Sequence, residues 1–352
     1  MLISPARETA FRVLEAVHGG AYASDTLRRS SLSLATRDAA LAEAIVFGCL
    51  RYQAQLDFLL GHFSGRPQIK LDAEVRIALR MGIYQIRYLD RIPAHAAVQE
   101  SVELVKKAHK RSAAGFVNAV LRKVNRKPIP WPDRATSLSM PSWMLARWDS
   151  HYGAAAASAI AQAALAEPEV FVNPETARQQ DIGAQSIVPY LEIEPGMTAL
   201  DLCAAPGNKT AQMLQAGAIV VACDRSPRRL EDVPREARRV ALDATRSLPF
   251  RRRFDRILVD APCSGTGTLG RNPEIKWRTT LADIQRFPEL QRQILKNALE
   301  HLRPGGRLVY STCSLEPEEN EEVVSNLPVV SRATRLPGRD PGDGFFLAVI
   351  SS

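Results

Sequence analysis

The chain has 352 residues, of which 45% are hydrophobic and 24% charged, and a formal net charge of +8; this is ordinary for soluble globular protein and long enough for two or three domains. No stretch approaches the roughly 18–20 uninterrupted apolar residues of a membrane span, and charges interrupt the start where a signal peptide needs an apolar segment, so a cytoplasmic protein with no membrane partner is expected. Five cysteines (49, 203, 223, 263 and 313) form no CxxC and accompany only six histidines. That excludes a disulfide framework or zinc site as the organising device and predicts reduced thiols and no metal.

The charge is uneven. Residues 1–130 carry 20 Lys and Arg against 11 Asp and Glu, and the remainder is nearly neutral, which points the first part toward a polyanion. Residues 4–126 read as helices. Leu71, Val75, Ala78, Leu79, Gly82, Ile83, Ile86 and Leu89 recur at steps of three and four, placing them on one face. Similar patterns span Ala6–Val17, Arg37–Phe63, Ala96–Ala108 and Ala113–Val124, divided by Gly, Pro and Ser. Lys106, Lys107, Lys110, Arg111, Arg122, Lys123, Arg126 and Lys127 occur with no acidic residue between Leu104 and Lys127, predicting a basic face unrelieved by neighbours on the same helices. The segments ETAFRVLEAV, VFGCLRYQAQLDFLL, RIALRMGIYQIRYLDRIPAHAAVQESVELVKK and GFVNAVLRKV resemble the NusB-type helical domain. The resemblance implies an all-α RNA-binding domain over residues 1–127.

Pro128, Pro130 and Pro132 cannot continue a helix and mark a linker. Two further helices follow around Trp143, Trp148 and the Ala-rich stretch 154–166, with both tryptophans read as packing anchors. Residues 128–185 are therefore expected to form a linker and helical connector. From about 186 the pattern becomes α/β: Thr198–Leu202, Ile219–Cys223, Arg239–Leu242, Ile257–Asp260, Arg307–Thr312 and Phe345–Ile350 are short apolar runs separated by helical segments. Such runs predict a mostly parallel, Rossmann-like sheet covered on both faces over residues 186–352.

The first strand leads into DLCAAPGNKT (Asp201–Thr210), a small-residue turn that lets a ligand approach backbone and helix N-terminus. A Walker A loop would need Gly where Cys203 and Asn208 stand, and no G-x-G-x-x-G occurs, so a nucleoside without pyrophosphate, S-adenosylmethionine, fits best. Asp224 ends the second strand 23 residues after Asp201, placed to accept ribose hydroxyls, and Asp243 follows the third, where it can meet the adenine edge. The fourth strand ends in Asp260, Ala261, Pro262 and Cys263. Another strand ends in Cys313. Two thiols at strand ends suit C5 methylation of a pyrimidine, because a thiolate added at C6 makes C5 nucleophilic and a second acid/base group must then assist proton loss and elimination. The chemistry does not order the two thiols. Cys49 and Cys223 read as small buried apolar residues, and Cys203 as a backbone contact to the cofactor.

DLCAAPGNKT, ACDRSPRRL, DAPCSGTGTLGRNPEIKW, LRPGGRLVYSTCSLEPEENEEVV and GFFLAVI resemble the RNA cytosine-C5 methyltransferases of the NOL1/NOP2/Sun family, in its RsmB/Sun form with a NusB-like domain. The resemblance implies a class I methyltransferase domain and a small-subunit (16S) rRNA substrate. It further implies that Cys313 attacks the base and Cys263 assists release. Cys203, Ala204, Ala205, Pro206, Gly207, Asn208, Lys209, Asp224, Asp243 and Asp260 match its cofactor site, with Asp260 also orienting the base, and a monomer is expected. The target base must leave its stack to reach a buried thiol. This chain departs from the family in having Asn208 in place of a second Gly and only VFVNPETARQQD (Val170–Asp181) in place of a small RNA-contacting subdomain. The segment from Asp224 to Asp243 and the tail after Glu322 are also short. A tRNA cytosine-C5 methyltransferase, or a catalytically silent RNA-binding factor, are the alternatives.

Overall fold

The apolar periodicity of the first part folds as α1 (Pro5–His18), α2 (Ala23–Ser30), α3 (Thr36–Arg51), α4 (Gln53–Ser64), α5 (Ala73–Tyr88), α6 (Ala94–Lys107) and α7 (Ala114–Lys123), in a computed structural model that describes residues 3–66 and 70–351. α5 is the centre of this core, with Val75, Ile77, Ala78, Leu79, Met81, Ile83 and Ile86 all buried. Helices approach closely enough that a Cβ on Gly48 would lie 1.9 Å from the Tyr84 ring, so α3 and α5 meet only because that position lacks a side chain.

The periodicity over 37–63 predicts one helix, and the structure has two. The break falls at Tyr52 (φ −98°, ψ 18°), whose ring stacks on Tyr88 at 4.7 Å. The last carbonyls of α3 find partners far away in sequence: Trp277 Nε1 donates to Leu50 O (2.7 Å) and Lys276 Nζ to Arg51 O (2.8 Å) and Ser139 O (3.1 Å). Side-chain donors thus close a helix end whose backbone acceptors have no next turn. Accordingly the first of two compact units runs to Ala166 and also includes Asn272–Arg278; the second comprises Glu167–Arg271 and the chain from Thr279 onward.

The first unit also takes in α8 (Arg134–Ser137), α9 (Ser142–Tyr152) and α10 (Ala154–Ala163). Residues 128–166, read as linker and helical connector, belong to the first compact unit: Trp148 is fully buried and Gln55 Nε2 donates to Ser137 O (2.6 Å). The basic face is also less bare than its own helices imply. Lys107 pairs with Glu8, Lys110 with Asp72 and Arg126 with Asp90, and Lys106 pairs with Glu103 three residues earlier. Arg122 and Lys123 have no ion pair among the described residues.

The second unit is a seven-stranded sheet of β1 (Thr198–Asp201), β2 (Ile219–Asp224), β3 (Arg238–Ala241), β4 (Phe254–Asp260), β5 (Leu302–Thr312), β6 (Val329–Arg335) and β7 (Phe345–Ser351). Its order is β3-β2-β1-β4-β5-β7-β6; the first five strands are parallel and β7 is antiparallel to both β5 and β6. β6 escapes the sequence pattern because VVSRATR is an edge strand with no buried residue, and edge strands need no apolar face. The other helices are α11 (Ile182–Gln185), α12 (Asn208–Gln215), α13 (Ile275–Arg278, within the first unit), α14 (Leu281–Glu300) and α15 (Glu321–Val324). α14 and α15 cover one face of the sheet with Ile294, Leu295, Ala298, Val323 and Val324. Met213 of α12, with Ile187 and Leu191, covers the other. Among the described residues no helix is long and apolar enough to cross a membrane.

Candidate active site

In a parallel sheet the strands spend their backbone hydrogen bonds within the sheet, so their carboxyl ends present side chains to a common rim. β4 and β5 are neighbours with Asp260 opposite Ser311. The residues that follow each strand therefore converge: Cys263 Sγ and Cys313 Sγ lie 3.3 Å apart. Cys263 is held well above the usual thiol range, first by its hydrogen bond to Cys313, then by burial and by the charges of Cys313 and Glu319. Either sulfur can be the donor in this pair.

Beside the thiols, Lys209 Nζ donates to Asp260 Oδ2 (2.6 Å) and Ser311 Oγ to Asp260 Oδ1 (2.8 Å). Burial pulls the Lys209 ammonium down, but the Asp260 carboxylate outweighs it and holds Lys209 above its ordinary value. Lys209 also lies 5.8 Å from the centroid of the Phe345 ring, so the cation has a carboxylate on one side and an aromatic face on another.

Both thiol-bearing loops are fastened by a residue the sequence reading passed over. Glu319 is fully buried; its Oε2 accepts from Ser264 N (2.8 Å) and Gln291 Nε2 (3.2 Å), and its Oε1 accepts from Ser314 Oγ (2.8 Å). The residue after each cysteine is therefore tied to one carboxylate. Asn320 adds to the bracket by accepting from Thr312 Oγ1 and donating to Ser314 O. The signal in the sequence was an acidic run, Glu318 to Glu322 around Asn320, directly after a strand end, where a solvated helix start explains it equally well.

The cofactor-type loop follows β1. Asp201, Cys203, Ala204, Ala205, Pro206, Asn208, Lys209 and Asp260 line a cavity of ≈130 Å³, completed by Gln180, Asp181 and Ala184. Asp201 is buried; its Oδ2 accepts from Thr210 Oγ1 (2.7 Å) while Oδ1 has no partner among the described residues. Burial pushes its carboxyl up to about 7, against the Thr210 hydrogen bond. Gly207, at φ +97°, turns the chain into α12, and a Cβ there would lie 2.7 Å from Val233 Cα. Burial and the surrounding acids push the Cys203 thiol up. Cys49 and Cys223 are buried among apolar side chains.

The other predicted acids divide. Asp224, at the tip of β2, accepts from Ser226 N (2.8 Å) and Ala205 N (3.3 Å), tying β2 to the loop. Asp243 sits after β3 and accepts from Thr245 N and Oγ1, which hold its carboxyl below the usual range. Neither lines the ≈130 Å³ cavity.

A doubly wound sheet with an antiparallel last hairpin, a ligand cavity at the first strand-to-helix turn and acids at the strand ends defines a Rossmann-like methyltransferase, here preceded by a NusB-type helical domain. Residues 188–335 match the family described as 16S rRNA methyltransferase RsmB/F, and residues 4–126 match the NusB family. A protein of Klebsiella pneumoniae (strain 342) named ribosomal RNA small subunit methyltransferase B is 31% identical, with 97% of each chain covered; one of the same name from Enterobacter sp. (strain 638) is 31% identical with 96% of each covered. The chain belongs to the 16S rRNA methyltransferase RsmB/F family and is an enzyme of that family. The first of these alignments runs over 421 positions, more than this chain's 352 residues, so that relative carries segments with no counterpart here. The solved structure of PH0851 superposes over the whole of both chains with a TM-score of 0.80 at 19% identity, sharing the fold.

Proposed function

We propose that the protein transfers a methyl group from S-adenosylmethionine to C5 of a cytosine in small-subunit rRNA, through a covalent bond between Cys313 and C6 of the base. The observation that carries this reading is the pair of thiols 3.3 Å apart at the ends of adjacent strands, next to the Lys209–Asp260 pair. The relatives' name, ribosomal RNA small subunit methyltransferase B, supports that choice of RNA.

The cavity's residues fit the cofactor. The unpartnered Asp201 Oδ1 suits a cationic α-ammonium group and the Gly207 turn admits a ligand against the backbone, while Asp224 and Asp243, after the next two strands and outside the cavity, are the acids assigned to ribose and adenine. Bound there, S-adenosylmethionine supplies an electrophilic methyl group for C5. Cys313, as thiolate, adds to C6 and moves electron density to C5. Cys263, as the protonated partner, donates its hydrogen bond to that thiolate. Once Cys313 sulfur is bonded to carbon it cannot serve as the base, which leaves Cys263, the thiol beside it, for the next step. Having released its own proton to solvent, Cys263 as thiolate takes the C5 proton as the Cys313–C6 bond breaks and Cys313 leaves as thiolate, restoring the aromatic ring. Asp260, fixed by Lys209 and Ser311, orients the base's polar edge.

RNA carrying 5-fluorocytosine tests the reading, since fluorine at C5 leaves no proton to remove. With S-adenosylmethionine, the wild-type protein should form an adduct that survives denaturation, and Cys313→Ala should not. Loss only with Cys263→Ala would reverse the two roles. Absence of an adduct on small-subunit rRNA fragments with an adduct on tRNA would move the substrate to tRNA, and absence on both would leave an RNA-binding factor.

A further inference from the structure

The segment just before the cavity is a small hairpin. Asn173 N donates to Arg178 O (2.8 Å), Gln180 N donates to Phe171 O (3.0 Å), and Val172 and Gln179 form an antiparallel bridge. A two-stranded hairpin of this size is not stable alone, so its order depends on what anchors it. The anchors are polar and reciprocal. Arg178 Nε donates to Asn208 Oδ1 (2.8 Å) and Arg178 Nη2 to Pro206 O (3.1 Å) and Asp232 O (3.2 Å). In return Asn208 Nδ2 donates to Gln179 O (2.9 Å). One amide side chain on the cofactor-type loop therefore grips the hairpin through both its acceptor and its donor.

The residues leaving the hairpin are fixed just as firmly. Gln180 accepts from Asn173 Nδ2 (3.0 Å) and donates to Gln212 Oε1 on α12 (2.8 Å). Asp181 Oδ2 accepts from Arg271 Nη2 (2.9 Å) and Asp343 N (3.1 Å). Gln180 and Asp181 then line the ≈130 Å³ cavity together with Asp201, Lys209 and Asp260. Their own polar atoms are taken up by these bonds, so what this wall offers a ligand is shape and exclusion of water. Asn208 is the residue common to wall and loop, since it lines the cavity and holds the hairpin.

We propose that the hairpin Phe171–Gln180 is a wall of the cofactor site, held closed by the bonds of Asn208 with Arg178 and with the Gln179 carbonyl, and that Arg178 and Asn208 are positioning residues that set cofactor affinity. The inference rests on the nucleoside-cofactor reading above. Removing either partner frees the same wall, so the two substitutions must be coupled and not additive.

The test is calorimetric titration of the full chain with S-adenosylhomocysteine, for wild type, Asn208→Gly, Arg178→Ala and the double variant. Each single change should weaken binding about tenfold, as loss of charge-assisted hydrogen bonds predicts, and the double variant should bind no more weakly than the weaker single one. Arg178→Lys, which replaces the fork with a single ammonium, should fall between wild type and Arg178→Ala. Unfolding midpoints should stay within a few degrees. Unchanged affinity in the singles, or additive losses in the double, would overturn the inference while leaving the function intact. A wild-type protein that does not bind S-adenosylhomocysteine would overturn the function reading and this inference with it. Hydrogen exchange needs no variant: saturating S-adenosylhomocysteine should slow exchange at the Asn173 and Gln180 amides, and unchanged exchange there counts against the wall.

Discussion

Lys209 and Lys276 are both largely withdrawn from water, and they titrate in opposite directions. Lys276, 1% exposed in the helical unit, donates to the carbonyls of Arg51 and Ser139 and lies over the Trp277 ring, with no carboxylate partner among the described residues, and burial lowers it to about 7. Lys209, at the rim of the sheet, meets the Asp260 carboxylate and is held above its ordinary value. Burial disfavours the ammonium in both places; a carboxylate partner is what reverses the outcome. Lys276 can close a helix end as a neutral amine, whereas Lys209 must stay charged, and its charge is what keeps Asp260 fixed beside the thiols. A buried lysine is therefore a structural fitting in one unit and part of the site in the other.

The sharpest way to break this contrast is Lys209→Met. It leaves the half-buried Asp260 carboxylate without its counter-ion and without the hydrogen bond that fixes it. Methyl transfer, followed by incorporation of labelled methyl into rRNA, should fall at least about a hundredfold. Retention of activity within a factor of a few would remove Lys209 from the site. The mirror experiment is Lys276→Met. It removes two buried hydrogen bonds, at about 0.5–1.5 kcal/mol each, and should leave cofactor binding untouched.

Lys276 also makes a pH prediction. Its folded value is about 7, whereas an unfolded lysine titrates near ~10.4. Between those values the unfolded chain holds the proton and the folded chain does not, so resistance to urea should rise with pH across that window and be at its lowest below it. Lys276→Met should flatten that rise, and an unchanged slope would show that another group carries it.

Glu319→Ala comes next, with an expected loss of about 1–3 kcal/mol in the order of the two loops from the unsatisfied donors of Ser264 and Ser314. Its effect should appear in kcat, by about tenfold, with affinity for S-adenosylhomocysteine unchanged; an equal loss in cofactor affinity would mean that Glu319 supports the whole rim and not the thiol loops. The smallest effect is at the helical surface. Arg122→Ala or Lys123→Ala, each without an ion pair among the described residues, should reduce the log–log salt slope of RNA binding by about one unit if it meets a phosphate. The paired Lys107 should change the slope less, since Glu8 already neutralises it.

The strand ends were the readable part of this molecule. A buried parallel strand needs four or more apolar residues in a row, and the first polar residue after such a run must lie at the rim, so Asp224, Asp260, Cys263 and Cys313 could be placed from the pattern alone. Most helices of the first part were visible in their three- and four-residue steps; α2 (Ala23–Ser30), with two buried residues, was not. Tyr52 was not, because a helix break made by ring stacking leaves no Pro or Gly behind. β6 was hidden by its exposure, and Glu319 by the ordinary look of an acidic residue near a helix start.

What the sequence determined by itself was local and periodic: which segments are helical or extended, where each strand stops, and which side chains stand at those stops. The tertiary structure decided everything that depends on residues distant in the chain. It set the thiols 3.3 Å apart, gave Lys209 and Lys276 opposite partners, joined Arg178 to Asn208, and sent Asn272–Arg278 into the helical unit to close α3. The reason is physical. Secondary structure follows from interactions within a few residues, which a pattern can record, whereas ion pairs, shared carboxylates and shifted titrations arise only when the fold brings distant groups within about 4 Å of one another in a medium that screens them poorly.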